Sequence, residues 1–400
     1  MRPKINTKFD NGTIGAVAPL AVGLLGLLAS AVGVAETFVL NTPYSIKSVN
    51  DAKKLGLVDS IDNHRLYKTI SEFYDEAGEG TELYVMGIPK TSKLSDFFKA
   101  GVQDFSPAEN LLNAANGDIR GLITSFDPDV SVVSTVTGGM DADVLEAANA
   151  AQLLFENYSA KKYAPFFTIL EGYNFSGSKV ELTDLTAYEY DSVGILIGDT
   201  ETRTGTTASK GSAIGVIGGR IARSYVRENI GKLRNGALSA TELFINDTPV
   251  ENYDTEALYD KGYITFVTHQ GRTGYYFIDD PLACAEDNDY HYLSRRRTIN
   301  EAYRLAYQAN LDYLLDEVPV NADGTINAAY AKSIEQAVES KIIATIGDDL
   351  QNIDGDYGVK CFVDASQKIV QNSKLSEVVR IRPWGYNRWI DVLVGYEIQN

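Results

Sequence analysis

The chain has 400 residues, 44% of them apolar, enough for more than one hydrophobic core, and this excludes a wholly disordered polypeptide. Thirty-six Lys and Arg against 54 Asp and Glu leave a net charge of −18, so the phosphate neutralisation that supports general nucleic-acid binding is missing as a bulk property. Two cysteines (Cys284, Cys361) and three histidines (His64, His269, His291) supply neither a disulfide framework nor zinc-ligand spacing, and the composition leans away from an enzyme.

From Asn11 to Ala35 no residue is charged, a run long enough to cross a bilayer. Arg2, Lys4 and Lys8 precede it and Ala29-Ser30-Ala31 follows its most apolar part, so a leader or anchor is the competing interpretation. Gly12, Gly15, Gly23, Gly26, Gly33 and Pro19 interrupt the run and favour short buried strands and turns.

Beyond Glu36, apolar strand-like runs alternate with amphipathic helices, the pattern of α/β layering. The pattern predicts helices over Asn50–Leu57 and His64–Ala77, the latter with Leu66, Ile70, Phe73 and Tyr74 on one face, then a strand at Leu83–Met86. Ser106-Pro107-Ala108-Glu109 is a helix start, with a capping hydroxyl, proline at the first position and a carboxylate three residues on. Leu122–Thr124, Phe166–Leu170 and Val193–Ile197 are expected strands, separated by a long helix over Asp141–Ser159. Gly198–Ser212 has the composition of an exposed loop, and Gly211–Leu233 is expected to be helical. After a soft boundary near residue 255, Tyr263–Val267 and Tyr275–Ile278 flank Gly271-Arg272-Thr273-Gly274 as a hairpin. Thr298–Leu315 and Ala328–Ile346 are expected helices, and Ile390, Val392, Val394, Tyr396 and Ile398 alternate as a final strand.

Catalytic signatures do not assemble. Lys210 precedes Gly211, the reverse of a phosphate loop, and Gly211, Gly215 and Gly218 are misspaced for dinucleotide binding but suit close helix packing. Asp279, Asp280, Glu286, Asp287 and Asp289 with Cys284 and His291 form the densest group of ligand-type residues, yet lack a calcium-hand loop and read as a solvated acidic loop. Asp279 and Glu286 are the pair that a carboxylate-based hydrolase would need. Arg295-Arg296-Arg297, expected just before a helix, is best explained by salt bridges to nearby acids. No cofactor and no metal site is expected.

Several segments in order resemble the subunit of a contractile-tail sheath, of phages or of related injection systems. They are the glycine-broken stretch Ile14–Val34, Asn41-Thr42-Pro43, Ser48-Val49-Asn50-Asp51-Ala52, and Phe73-Tyr74 leading through Gly80 to Tyr84-Val85. Leu258–Ile264, the glycine/arginine hairpin at Gly271–Gly274, Arg295-Arg296 and Glu317-Val318-Pro319-Val320-Asn321 continue the series. Tyr276–Asp280 departs from it, standing where the family carries an aromatic-glycine and Arg-Thr sequence.

The resemblance implies a mixed α/β fold of layered sheet-and-helix domains with extended N- and C-terminal arms for strand exchange between subunits. The expected organisation is an arm and apolar segment at 1–35, an α/β body at 36–255, a C-terminal α/β sheath domain at 256–374 and a C-terminal β arm at 375–400. Ile5, Phe9, Ile390, Val392, Val394, Tyr396 and Ile398 would make the arm contacts, with a hinge at Pro383 and Gly385. Whether the last strand pairs within its own subunit or on a neighbour stays open, since exposed strand edges recruit other chains. The implied subunit is not an enzyme. It partners itself in stacked rings or a helical sheath, the tail tube protein, the baseplate and the tail terminator, with no direct nucleic acid and no stable membrane insertion. It would assemble in the bacterial cytoplasm and end in a virion tail or injection particle. An exported or membrane-associated surface protein using residues 11–35 is the alternative.

Overall fold

Leu25–Ala31 forms strand β1, and all seven of its side chains are buried. A strand buried on both faces needs a continuous apolar run, and this requirement accounts for the described part of the uncharged segment. The computed structural model describes residues 23–100 and 105–395. Strands β2 (Pro43–Ile46), β3 (Leu83–Pro89), β4 (Gly121–Ser125), β5 (Phe167–Glu171) and β6 (Val193–Leu196) join β1 in one sheet of order β2-β3-β1-β4-β5-β6. All neighbours are parallel except β2, which lies antiparallel on β3. The expected mixed α/β class is the observed one. Among the described residues no helix is long and apolar enough to cross a membrane.

The first four helices follow their predicted starts to within a residue. In α1 (Val49–Lys54) Ser48 Oγ accepts from the Asp51 amide at 3.0 Å, and in α3 (Pro107–Ala114) Ser106 Oγ accepts from Glu109 at 3.1 Å. Between them lies α2 (His64–Ala77), and α4 (Ala142–Lys162) links β4 to β5. Helix α5 (Ile214–Arg223) lies against α2 so closely that a Cβ at Gly215 would come within 2.3 Å of the Thr69 carbonyl, and one at Gly219 within 2.5 Å of Phe73 O. Gly215 is thus the packing residue its position predicts, Gly218 lies over the Ile123 side chain, and Gly211 lies ahead of the helix.

Helix α5 stops ten residues short of the expected Leu233. The Arg297 guanidinium donates to the carbonyls of Ile221, Ser224 and Tyr225 and so takes over the role of a continuing turn. Arg297 can do this because α6 (Leu293–Asn310) begins earlier than predicted. Its first amides are met by the carbonyl and carboxylate of Asp280, at 2.8 and 2.9 Å to Leu293 and Ser294, which places all three consecutive arginines inside the helix.

Residues 256–304 build onto the first sheet. Ile264 bridges Leu196 in parallel, Ala283–Cys284 pairs with Glu189–Tyr190, and β7 (Phe266–Thr268) with β8 (Tyr275–Phe277) forms the expected hairpin. The chain separates into two compact units at Arg304/Leu305, within α6. The second unit contains α7 (Ala328–Ile346) and an antiparallel ribbon of β9 (Val359–Val363) and β10 (Glu377–Ile381).

Candidate assembly interface

The ribbon has two different faces and two different edges. Val359, Cys361 and Val363 of β9 are buried toward α7, while Lys360 and Phe362 face outward. Register places Val379 beside Cys361 on the inner face and Val378 beside Phe362 on the outer. The amides of Cys361 and Val363 point away from β10 and donate to the carboxylates of Glu339 (2.8 Å) and Glu335 (2.9 Å) on α7. The outer edge of β9 is therefore closed by side chains. Burial pushes the Glu335 carboxyl up, but its bonds to Lys332 and to the Val363 amide hold it below the ordinary range. Burial and the nearby Glu377 push the Cys361 thiol up to about 12, so it is inert as a nucleophile near neutral pH.

The same alternation turns the amides and carbonyls of Glu377, Val379 and Ile381 to the far side of β10. Among the described residues no group pairs with that edge. Beyond it, Arg382 is held by Asp356 at 3.0 Å, and the chain then runs as a tail that is exposed except at Tyr386 and Arg388, which are half-buried with the Arg388 guanidinium over the Tyr386 ring. Residues 390–395 form no strand, so the predicted ladder is not present in the single chain within the described residues. Ile390, Val392, Leu393 and Val394 are 74 to 100% exposed, an apolar series with nothing to cover it here. Pro383 and Gly385 lie between the ribbon and this tail, and both are exposed. Ile5, Phe9, Tyr396 and Ile398 lie outside the described residues. A groove of about 450 Å³ opens on the ribbon's outer face over Phe362 and Val378, rimmed by Asp364 and Lys374.

The other place where an α/β fold puts chemistry, the carboxyl ends of its parallel strands, is occupied by charge. Arg65 bonds Glu171 (2.7 Å), Asp199 (2.5 Å) and the Ser212 carbonyl, and Lys68 bonds Asp199 and Glu72 at 2.7 Å each. Burial raises the Glu171 carboxyl, and Arg65 with the Ser212 and Phe126 amides only partly offsets it. Burial also opposes the charge on Asp199, yet Arg65 and Lys68 hold that carboxyl below its usual range. Beside this cluster is a hollow of about 10 Å³, room for about one water. The arrangement fastens α2 to the strand ends.

The loop 198–212 differs from its expected exposure, because Asp199, Ser209, Gly211 and Ser212 are buried in that cluster and only 204–207 and Lys210 are fully outside. The acidic group 279–291 is not one solvated loop either. Asp279 and Asp280 are buried, Asp280 meeting the first amides of α6, whereas Glu286, Asp287 and Asp289 are exposed, so the Asp279–Glu286 pair does not share a cleft environment. Among the described residues no group of His, Cys, Asp and Glu is placed to hold a metal ion. Arg296 pairs with Asp191, the salt bridge expected of the arginine run.

The family model described as the DUF2586 N-terminal domain matches residues 2–281, and that of the DUF2586 C-terminal domain matches 289–400. The chain belongs to the DUF2586 family. Its fold is shared over the full chain with solved structures of contractile systems. A chain of the six-fold symmetrised cryo-EM structure of the anti-feeding prophage (AFP) baseplate is 12% identical with a TM-score of 0.59, covering 100% of this DUF2586 chain and 99% of that one. A chain of the PVC sheath complex of an extracellular contractile injection system, in its contracted state, is 13% identical with a TM-score of 0.57, covering 100% and 98%. No curated protein sequence matches. The resemblance to contractile sheath proteins thus holds for the fold of the DUF2586 chain as a whole.

Proposed function

We propose that this DUF2586 protein is a structural, non-catalytic subunit of a contractile sheath that polymerises around a tail tube and contracts to drive the tube through a target envelope. The observation that carries this is the pairing of an unfilled β10 edge with an uncovered alternating apolar tail, on a fold shared with a sheath complex. A tail that adds to the β10 edge of another copy forms several backbone bonds at roughly 0.5–1.5 kcal/mol net each, before ordering costs. Arm residues Ile390, Val392, Val394, Tyr396 and Ile398, with Ile5 and Phe9 of the amino-terminal segment, are the proposed contacts. Pro383 and Gly385 let each body turn while its arm stays attached.

Contraction is then a downhill repacking between two arrays and uses no nucleotide, a reading that rests on Lys210 preceding Gly211, the reverse of a phosphate loop. Baseplate, tube and tail terminator are its further partners, assembly takes place in the bacterial cytoplasm, and the product is a virion tail or injection particle. The exported alternative loses its main support, because Leu25–Ala31 is a buried sheet strand. Deleting residues 388–400 is expected to leave a folded protein that no longer forms long tubes in negative-stain images. Normal tubes from the truncated chain would reject the linking role.

A further inference from the structure

Both tryptophans of the chain, Trp384 and Trp389, lie in the tail, 40% and 79% exposed. Large aromatic side chains left in water on a segment that also carries arginines have the composition of an interface anchor. Residues 378–390 contain Arg380, Arg382 and Arg388 and no acid, whereas residues 305–373 carry eleven Asp and Glu against four Lys and no Arg. The stretch 378–390 is thus opposite in charge to the body of its unit, and Asp391 and Glu397 follow it. That unit also bears the groove over Phe362 and Val378, whose Phe362 ring is 59% exposed, with Asp364 on the rim.

Strand alternation connects the two features. If the tail extends the ribbon beside β10, Ile390, Val392 and Val394 share one face and Trp389, Asp391 and Leu393 the other. The inner face of the ribbon continues Val379 and Ile381 and suits the aliphatic set, which leaves Trp389 on the outer face, where the groove is. The tail leaves β10 at Ile381, the end of that strand remote from the groove residues Asn372, Lys374 and Ser376.

We propose that Trp389 of one copy seats in the groove over Phe362 and Val378 of a second copy and is the anchor that fixes the register of the added strand. This rests on the strand-addition reading above and adds to it a specific side chain and its receptor.

The test uses the full chain and two complementary variants. Trp389→Ala has an intact groove, and Phe362→Lys an intact tail; Val378→Lys is the second groove variant should Phe362→Lys lose cooperative unfolding. Each alone is expected to need at least about tenfold more protein than wild type to associate in sedimentation velocity. An equimolar mixture is expected to associate at a concentration where neither does, since one intact tail meets one intact groove. In wild type, tryptophan emission shifts to the blue and resists acrylamide as association proceeds. Trp389→Ala associating like wild type, while the 388–400 deletion does not, overturns the anchor and leaves strand addition standing. Association of the deletion variant overturns strand addition itself. Variants that stay apart when mixed, with emission already protected in the monomer, place the tail in its own groove and overturn seating on a second copy.

Discussion

Arg65 is the side chain on which the carboxyl end of the sheet depends. Its guanidinium is buried between Glu171 and Asp199, which come from two neighbouring parallel strands and their loop, and it also reaches the Ser212 carbonyl ahead of α5. Replacing it by Met leaves two buried carboxylates without their main counter-charge, so Arg65→Met is expected to cost about 3–5 kcal/mol in urea unfolding at neutral pH. The pH dependence carries a sign for each group. Asp199, with its folded value depressed, contributes stability above the ordinary carboxylate range, lost as pH falls through that folded value. Glu171, with its folded value raised, contributes stability at low pH, lost as pH rises through that value. Without Arg65 both carboxyls move up and protonation relieves the defect. The deficit of Arg65→Met relative to wild type is therefore expected to be larger at pH 8 than at pH 5. An equal deficit at both would mean that Arg65 acts by packing alone.

His64 extends the same reasoning to the surface. Its ring nitrogens meet Asp59 at 2.6 Å and Glu201 at 3.1 Å, and although burial opposes the imidazolium, the two carboxylates raise its pKa. The stability it contributes is complete below about pH 6.5 and is lost as pH rises through the raised value. His64→Gln is thus expected to fall short of wild type at pH 6 and to approach it at pH 9 in thermal unfolding. The sequence could not disclose either cluster, because Arg65 and Asp199 are 134 positions apart and each alone looks like an ordinary helix or loop charge.

At the scale of elements, local chemistry was legible and remote capping was not. The Ser106-Pro107-Glu109 start carries its reason within a few residues, and α3 begins where the pattern puts it. The ends of α5 and α6 depend on Arg297 and Asp280, brought in from elsewhere in the chain, and there the pattern missed by several residues. Glu335 and Glu339 are the same kind of case. On a helix they read as a solvated face, yet they accept the outward amides of β9 and leave the ribbon with one usable edge. Removing both, Glu335→Ala with Glu339→Ala, is expected to cost about 1–3 kcal/mol per orphaned amide and to open the second edge. The measurements are urea unfolding and light scattering at neutral pH. Scattering unchanged from wild type would show that these carboxylates do not police the edge.

For the molecule as a whole, the alternation of Ile390 to Ile398 signalled a strand with no fixed address, and periodicity cannot say whether a partner edge belongs to the same chain. The single chain has the edge and the tail but no ladder between them within the described residues, and the proposed strand addition assigns the missing partner to another copy. This division of labour has an optical consequence. The sheet and its helices hold the buried core, whereas both tryptophans sit outside it, so the two signals that usually track unfolding together report on different things. In dilute wild-type protein, the circular dichroism of the helices should collapse across a cooperative denaturant transition while tryptophan emission, already characteristic of an exposed indole, changes little. Raising the protein concentration without denaturant should do the reverse, shifting emission to the blue with the helical signal constant. A large emission change coincident with loss of helix in dilute protein would mean that the tail is packed on its own body before assembly, and the subunit would then have to release it before joining a neighbour.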